Sequence, residues 1–214
     1  MHKPKQSPNN SLLIMKRMYF LLLSLLVFTT LNAQENQSDQ KPYTTGSAGV
    51  SYTKVITVEG KTASELYSIA DNYFTYNYVD ANSVVQTQDK EAGTIIGKGL
   101  YDEFYKYTDG LGFIYCSAVH ILRIDCKDGR IRVILTIPNY HFHGIKTSSR
   151  PAFDRDTNIM ETYPFTGEVE KPKRSQKREQ EIFEIVNGMA LTTIKGVEDY
   201  FVNSGSTGVE NDNW

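Results

Sequence analysis

Cysteine is scarce in this chain: Cys116 and Cys126 are the only two among 214 residues. That excludes a disulfide-stapled scaffold, and the absence of a Cys-x-x-Cys pair removes the usual structural zinc motifs. Both cysteines fall in one stretch that reads as a single strand, ten residues apart. At roughly 3.3 Å per residue that is about 33 Å, far beyond the about 7 Å that a disulfide allows between Cα atoms. Two free, buried thiols are expected. An excess of positive charge is also lacking: 23 Lys and Arg stand against 25 Asp and Glu. Nucleic-acid phosphates call for a basic surface, so that class of partner is not expected. There is no Gly-x-Ser-x-Gly elbow for a serine nucleophile. Gly97-Lys98-Gly99 lies inside a strand pattern rather than ahead of a helix, so it does not form a phosphate cradle. The expectation is of no enzyme activity and no cofactor.

Long apolar runs are missing too. Met18 to Phe28 is apolar except for Ser24, but it covers only 11 residues, and a membrane-spanning helix needs about 20. The run follows Lys16-Arg17 and precedes Leu31-Asn32-Ala33. A positive region, a short apolar core and a small residue at the cut are the layout of a cleavable export signal. Residues 1–33 are therefore expected to be removed, which directs the chain to the periplasm or the extracellular space. Met15-Lys16-Arg17 is the better start of such a signal, so 1–14 is a candidate misassigned start. No cysteine lies at the cut, so no lipid anchor is expected on the mature N-terminus. Removal of Lys3, Lys5, Lys16 and Arg17 leaves 19 bases against 25 acids, a net −6.

Residues 34–48 read as a flexible polar spacer. Val50 to Val58 is β-branched and alternating, a first strand. Thr62-Ala63-Ser64-Glu65 is a capping box, and Leu66, Ile69, Ala70, Tyr73 and Phe74 follow as one helical stripe. Ser83–Gln88 and Thr94–Tyr101 are predicted as strands, the latter reaching as far as Phe104. Gly97 and Gly99 share one face of the latter and leave room for a close approach or mark a bend. Phe113–Cys126 and Ile131–Ile137 flank Asp128-Gly129, which favours a tight type I′ hairpin. Opposing Lys127 with Arg130 puts Leu122, Ile124, Cys126, Ile131, Val133 and Leu135 on one apolar face. Arg123, Asp125 and Arg132 then fall on a wet one. Residues 138–172 show no sustained period and read as a long loop insert. Ile182 to Phe201 carries the stripe of a last helix. Gly188 and Gly196 weaken that helix unless they permit close packing, and residues 204–214 read as a disordered tail. The predicted class is α+β, in the order β-α-β-β-β-β-α: five antiparallel-rich strands with two helices on one face.

These segments resemble a known family. Thr62-x-x-Glu65-Leu66-Tyr67 with Tyr73 and Phe74 looks like its first helix. Asp89-x-x-Ala92-Gly93-x-Ile95-Ile96-Gly97-x-Gly99 looks like its central hairpin, and Asp128-Gly129-Arg130-Ile131-Arg132, running into Asn139-Tyr140, like its second. The family is number 4468 of the domains of unknown function, with a TBP-like fold, and the resemblance spans about residues 50–203. It implies a β-α-β4-α domain at 49–203 and a secreted or lipid-anchored envelope protein of gut or oral bacteria. It implies no activity. The TATA-binding protein uses such a sheet on DNA, but fold alone does not carry function.

Two groups of residues are candidate sites. Tyr101, Phe104, Tyr105, Tyr107 and Tyr115 gather near one turn with Phe113, and aromatics on a rim suit a protein, peptide or glycan. Tyr76 and Tyr78 are candidate neighbours. His120, His141 and His143 form the rival, a histidine-based metal site or metal-dependent enzyme. The run Lys171, Lys173, Arg174, Lys177 and Arg178 is expected at or before the start of the last helix, as a solvated, partly disordered stretch. The expected function is a non-enzymatic binding module of the cell envelope.

Overall fold

The computed structural model describes residues 41–78, 85–110, 112–148, 151–166 and 172–206. The export signal, most of the spacer, Ser83, Lys171 and the tail beyond residue 206 lie outside the described residues. From Tyr43 to Ser206 the described residues pack as one unit. Its elements are β1 (Thr44–Gly46), β2 (Gly49–Thr57), α1 (Ala63–Asn77), β3 (Val85–Asp89), β4 (Thr94–Thr108), β5 (Phe113–Lys127) and β6 (Arg130–Ile137). There follow β7 (Asn139–Gly144), β8 (Phe153–Asn158), a short 3-10 turn (Ile159–Glu161) and α2 (Lys173–Ser206).

The class is the expected one, α+β, with an antiparallel sheet and two helices on one of its faces. Among the described residues the sheet has eight strands rather than five. Six run in the order β1-β2-β6-β5-β4-β3, while β7 pairs with β5 and β8 pairs with β7. The extra strands come from segments read as spacer and loop. Thr44–Gly46 folds back on Gly49–Ser51. Within 138–172, Asn139–Gly144 continues the path of β6 along β5. Between the pairs Ile121↔Thr136 and Ala118↔Tyr140 this path carries one extra residue. The kink falls at Pro138, which has no N–H to give to a ladder. Past the kink the outer neighbour changes from β2 to β8.

The Asp128-Gly129 hairpin sets the predicted register, Cys126↔Ile131, Ile124↔Val133 and Leu122↔Leu135. All six of those side chains are buried. The turn is not type I′, since that turn needs positive φ at both central residues. Gly129 has φ +73°, but Glu103 is the only non-glycine residue with positive φ among the described residues. Asp128 instead accepts a hydrogen bond from the Ala63 amide (2.7 Å), which fastens the hairpin to the first turn of α1. The Thr62–Glu65 capping box is present in full.

Leu66, Ala70, Tyr73 and Phe74 of α1, and Val186, Ala190, Val197 and Phe201 of α2, close the core over the sheet. Tyr73 and Tyr200 join the helices edge to face at 5.3 Å. A Cβ on Gly97 would overlap the Phe74 ring, and one on Gly99 would overlap His120 and Tyr78. Those glycines do permit the close approach expected of them. Gly188 and Gly196 do not: a Cβ on either would meet nothing within 4 Å. The basic run is corrected as well. Lys173, Arg174, Lys177 and Arg178 are helical, because α2 begins at Lys173, well before Ile182.

Candidate functional site

The turn linking β5 and β6 marks the upper end of the sheet, and Phe113 marks the lower end. The upper half is regular. In the lower half, β4 gains two residues between the pairs Tyr101↔Ala118 and Tyr105↔Cys116. Glu103 takes φ 36° there. Ser117 holds this bulge: its Oγ accepts from the Glu103 amide (2.8 Å) and donates to Asp102 Oδ1 (3.1 Å). Two extra residues preserve the alternation of faces, so Tyr101, Tyr105 and Tyr107 all turn toward α2.

Their environments then diverge. Tyr101 is core: its ring stacks on His120 at 4.2 Å, and its hydroxyl shares a 2.7 Å hydrogen bond with Thr193 Oγ1. Tyr105 donates to Glu181 Oε2 at 2.7 Å. Burial, and then the Glu181 carboxylate, push its hydroxyl up to about 12. Arg178 lies 4.2 Å above the Tyr107 ring. Phe104 is half-buried against the core. Tyr115 sits on the opposite face, stacked on His143 at 5.1 Å, with Lys106 Nζ 5.0 Å from its ring. The aromatic cluster read from the sequence is thus split between the two faces of the sheet. Tyr78 packs inward on Phe74 (5.5 Å), while Tyr76 is 78% exposed.

Tyr107 and Arg178 form the shared wall of two adjoining clefts. One, of about 490 Å³, is lined by Phe142, Arg155, Thr157, Glu161, Ser175 and Glu179. The other, of about 380 Å³, is lined by Tyr105, Thr108, Arg174, Lys177 and Glu181. Both lie between the lower sheet and the first turns of α2. They fall within the size range of ordinary small-ligand sites. Aromatic rings, guanidinium groups and carboxylates meet around that shared wall. The predicted aromatic site supplies only Tyr105 and Tyr107 to it. The remaining lining comes from Thr108 of β4, from β7, β8 and the 3-10 turn in the segment read as loop, and from the first turns of α2, which the sequence reading placed at or before the start of the last helix. The alternation Tyr140, His141, Phe142, His143 was the signal available for β7.

The three histidines are not brought together. His120 points into the helix-covered face, stacked on Tyr101 and bonded through Nε2 to the Tyr78 hydroxyl (3.2 Å). Burial pulls it down to about 4, so it is neutral at ordinary pH. His141 and His143 stand opposite Ser117 and Tyr115, on the other face. Each is occupied by a carboxylate: His141 Nδ1 lies 2.9 Å from Asp156, and His143 Nε2 lies 3.1 Å from Glu103. A site holding all three would have to pass through the sheet. Among the described residues no cluster of His, Cys, Asp or Glu is arranged to hold a metal ion. Cys116 and Cys126 are free and buried, as expected, and burial pushes both thiols up to about 12.

Residues 52–141 match the family described as a domain of unknown function (DUF4468) with TBP-like fold. Among solved structures, the chain is similar to a DUF4468 family protein from Bacteroides ovatus. That likeness has a TM-score of 0.50 and 15% identity, and covers 75% of this chain and 90% of that one. It is also similar to a TBP-like protein from Parabacteroides distasonis, with a TM-score of 0.51 and 12% identity, covering 76% of this chain and 99% of that one. At such identities the likeness establishes the fold alone. No curated protein matches the chain. The matched segment ends within β7, so the helical wall of the clefts lies outside it.

Proposed function

We propose that this chain is an exported, non-enzymatic binding module that takes a peptide or glycan of the cell envelope into the two clefts divided by Tyr107 and Arg178. The observation that carries this reading is that shared wall, an aromatic face with a guanidinium 4.2 Å above it. It stands between concavities edged by both bases and acids. An aromatic platform with convergent polar groups is what orients a sugar ring or an extended peptide. The non-enzymatic reading rests on the sequence, which carries neither a Gly-x-Ser-x-Gly elbow nor a phosphate-cradling glycine loop. The two thiols are held protonated by burial, and His120 is held neutral inside the core. Export rests on the basic, apolar and small-residue layout of residues 16–33.

Titration calorimetry of the purified chain against envelope glycans and oligopeptides tests the binding. Saturable binding is expected, weakened about tenfold or more by Tyr107→Ala and by Arg178→Ala, about 1.4 kcal/mol or more. Binding that ignores both substitutions, or none to either ligand class, refutes the site. Mass analysis of the protein recovered from the periplasm or medium tests export, with a mature chain starting at Gln34 as the expected result.

A further inference from the structure

The sheet face turned away from both helices has three zones along its strands. At its upper end Lys127, Arg130 and Arg132 outnumber Asp89 and Asp125, while Arg123, opposite Ile134, and Lys98, opposite Ile121, border the apolar zone below. Asp125 is already neutralised by Arg123 and Arg132, each at 2.7 Å. Lys98, Lys127 and Arg130 make no ion pair with any described residue. A hollow of about 200 Å³ lies at this end, lined by Val55, Lys127, Arg130 and Arg132. At the lower end Asp102, Glu103, Asp154 and Asp156 outnumber Lys106, with His141 set between Asp154 and Asp156 and His143 against Glu103. The side chains of Asp154 and Asp156 are 76% and 72% exposed. Between the two ends runs an apolar waist of Leu100, Val119, Ile121 and Ile134. Leu100 is 53% exposed and Ile121 36%.

We propose that this face docks a second copy of the chain, sheet against sheet, about a two-fold axis lying in the interface and running across the strands. That operation lays waist on waist. It also brings the positive end of each copy onto the negative end of the other, twice over. A two-fold contact must be self-complementary, and a face with opposite charges at its ends satisfies this condition. A polymer of single charge, such as nucleic acid, would match one end and be repelled by the other. The size is adequate. β5 spans 15 residues, or about 50 Å, with five strands across its upper half and four across its lower half, about 19 Å and about 14 Å. That is roughly 800 Å², equal to the about 800 Å² per partner in a stable interface. The docking face lies on the opposite side of the sheet from the clefts, adjoining the larger one at Asp156 on β8, and does not depend on the binding role proposed for them.

Analytical ultracentrifugation of the full chain over a concentration series tests the pairing. A monomer–dimer equilibrium is expected, weakened when salt rises from about 0.05 M to about 0.5 M. Leu100→Asp should weaken the dimer by about tenfold or more. Tyr107→Ala, in the cleft, should leave it unchanged. Circular dichroism confirms that each variant is folded. Two charge-reversed chains then test the orientation. Lys127→Glu with Arg130→Glu makes both ends negative, and Asp154→Lys with Asp156→Lys makes both ends positive. Neither should self-associate, but an equimolar mixture should form a heterodimer. A chain that stays monomeric throughout, or a dimer indifferent to Leu100→Asp, overturns the proposal. So does a mixture of the two reversed chains that fails to pair.

Discussion

β5 runs the full height of the sheet, and its two halves live in different surroundings. From Ile121 to Lys127 it is flanked by unbroken ladders to β4 and β6, and its inward side chains are fully buried under both helices. From Phe113 to Ala118 it is flanked by a bulged β4 on one side and by β7, past the kink at Pro138, on the other. The inward side chains of β5 are apolar and buried in both halves, Leu122, Ile124 and Cys126 above and Ile114, Cys116 and Ala118 below. The contrast lies in the strands beside them: next to the lower half, Tyr105 and Tyr107 of β4, Phe142 of β7 and Arg155 of β8 border the two clefts. One strand thus keeps the same core face along its height while its neighbours open at one end. What differs is the regularity of its neighbours: a bulge or a proline re-aims side chains and spoils close packing, and that opens space.

The comparison breaks most readily at Leu122, in the upper half. Leu122→Ala should cost about 3 kcal/mol of unfolding free energy, since cavities at such sites cost about 2–5. Tyr107→Ala, at the half-buried cleft wall, should cost about 1 kcal/mol or less. Urea titration of both variants checks the contrast, and equal losses would remove the distinction between the halves. The seam between the halves is His120, whose value falls from 6.5 unfolded to about 4 folded. Between those two pH values the unfolded chain binds the extra proton, so stability falls as pH drops through that window and the slope ends near pH 4. The full loss should be about 3 kcal/mol. His120→Gln should flatten this part of the profile. A wild-type slope that the substitution leaves intact would show that the imidazole is not held neutral by burial.

Smaller effects sharpen the picture. Gly97→Ala should cost about 2 kcal/mol, because its methyl overlaps the Phe74 ring and overpacking costs about 1–3. Phe74→Leu should offset part of that loss in the double variant, and simple additivity would mean the two residues do not meet. Gly188→Ala should act in the opposite direction and stabilise by up to about 1 kcal/mol. Its position on α2 is open, and thermal melting would detect the gain. A loss there would place an unseen neighbour against that face of the helix.

Much of the upper half was legible from local pattern. The capping box, the stripes of both helices and the register around Asp128-Gly129 each depend on residues close in sequence. The lower half was less legible because its signals are short or interrupted. Tyr140 and Phe142 alternate with histidines for only a few residues after a proline, which reads as loop until β5 and β8 are there to pair with them. The basic run before Ile182 opposes the dipole expected at a helix start. In the structure these residues continue a helix whose later turns are anchored in the core, and Arg178 rests on Tyr107. The turn type also yielded to context, since Asp128 caps α1 from across the chain.

By itself the sequence determined which side chains must leave water, where the helices begin to bury a face, and which strands fold back on each other. Those choices depend on periodicity and on turn chemistry within a few residues. Only the tertiary structure decided that the candidate tyrosines divide between two faces, that His120 is screened from His141 and His143 by the sheet, and that a cleft opens beside Tyr107. Each of these follows from which strand lies next to which, and from where an extra residue interrupts the ladder. Such long-range pairings leave no period in the chain for a sequence reading to find.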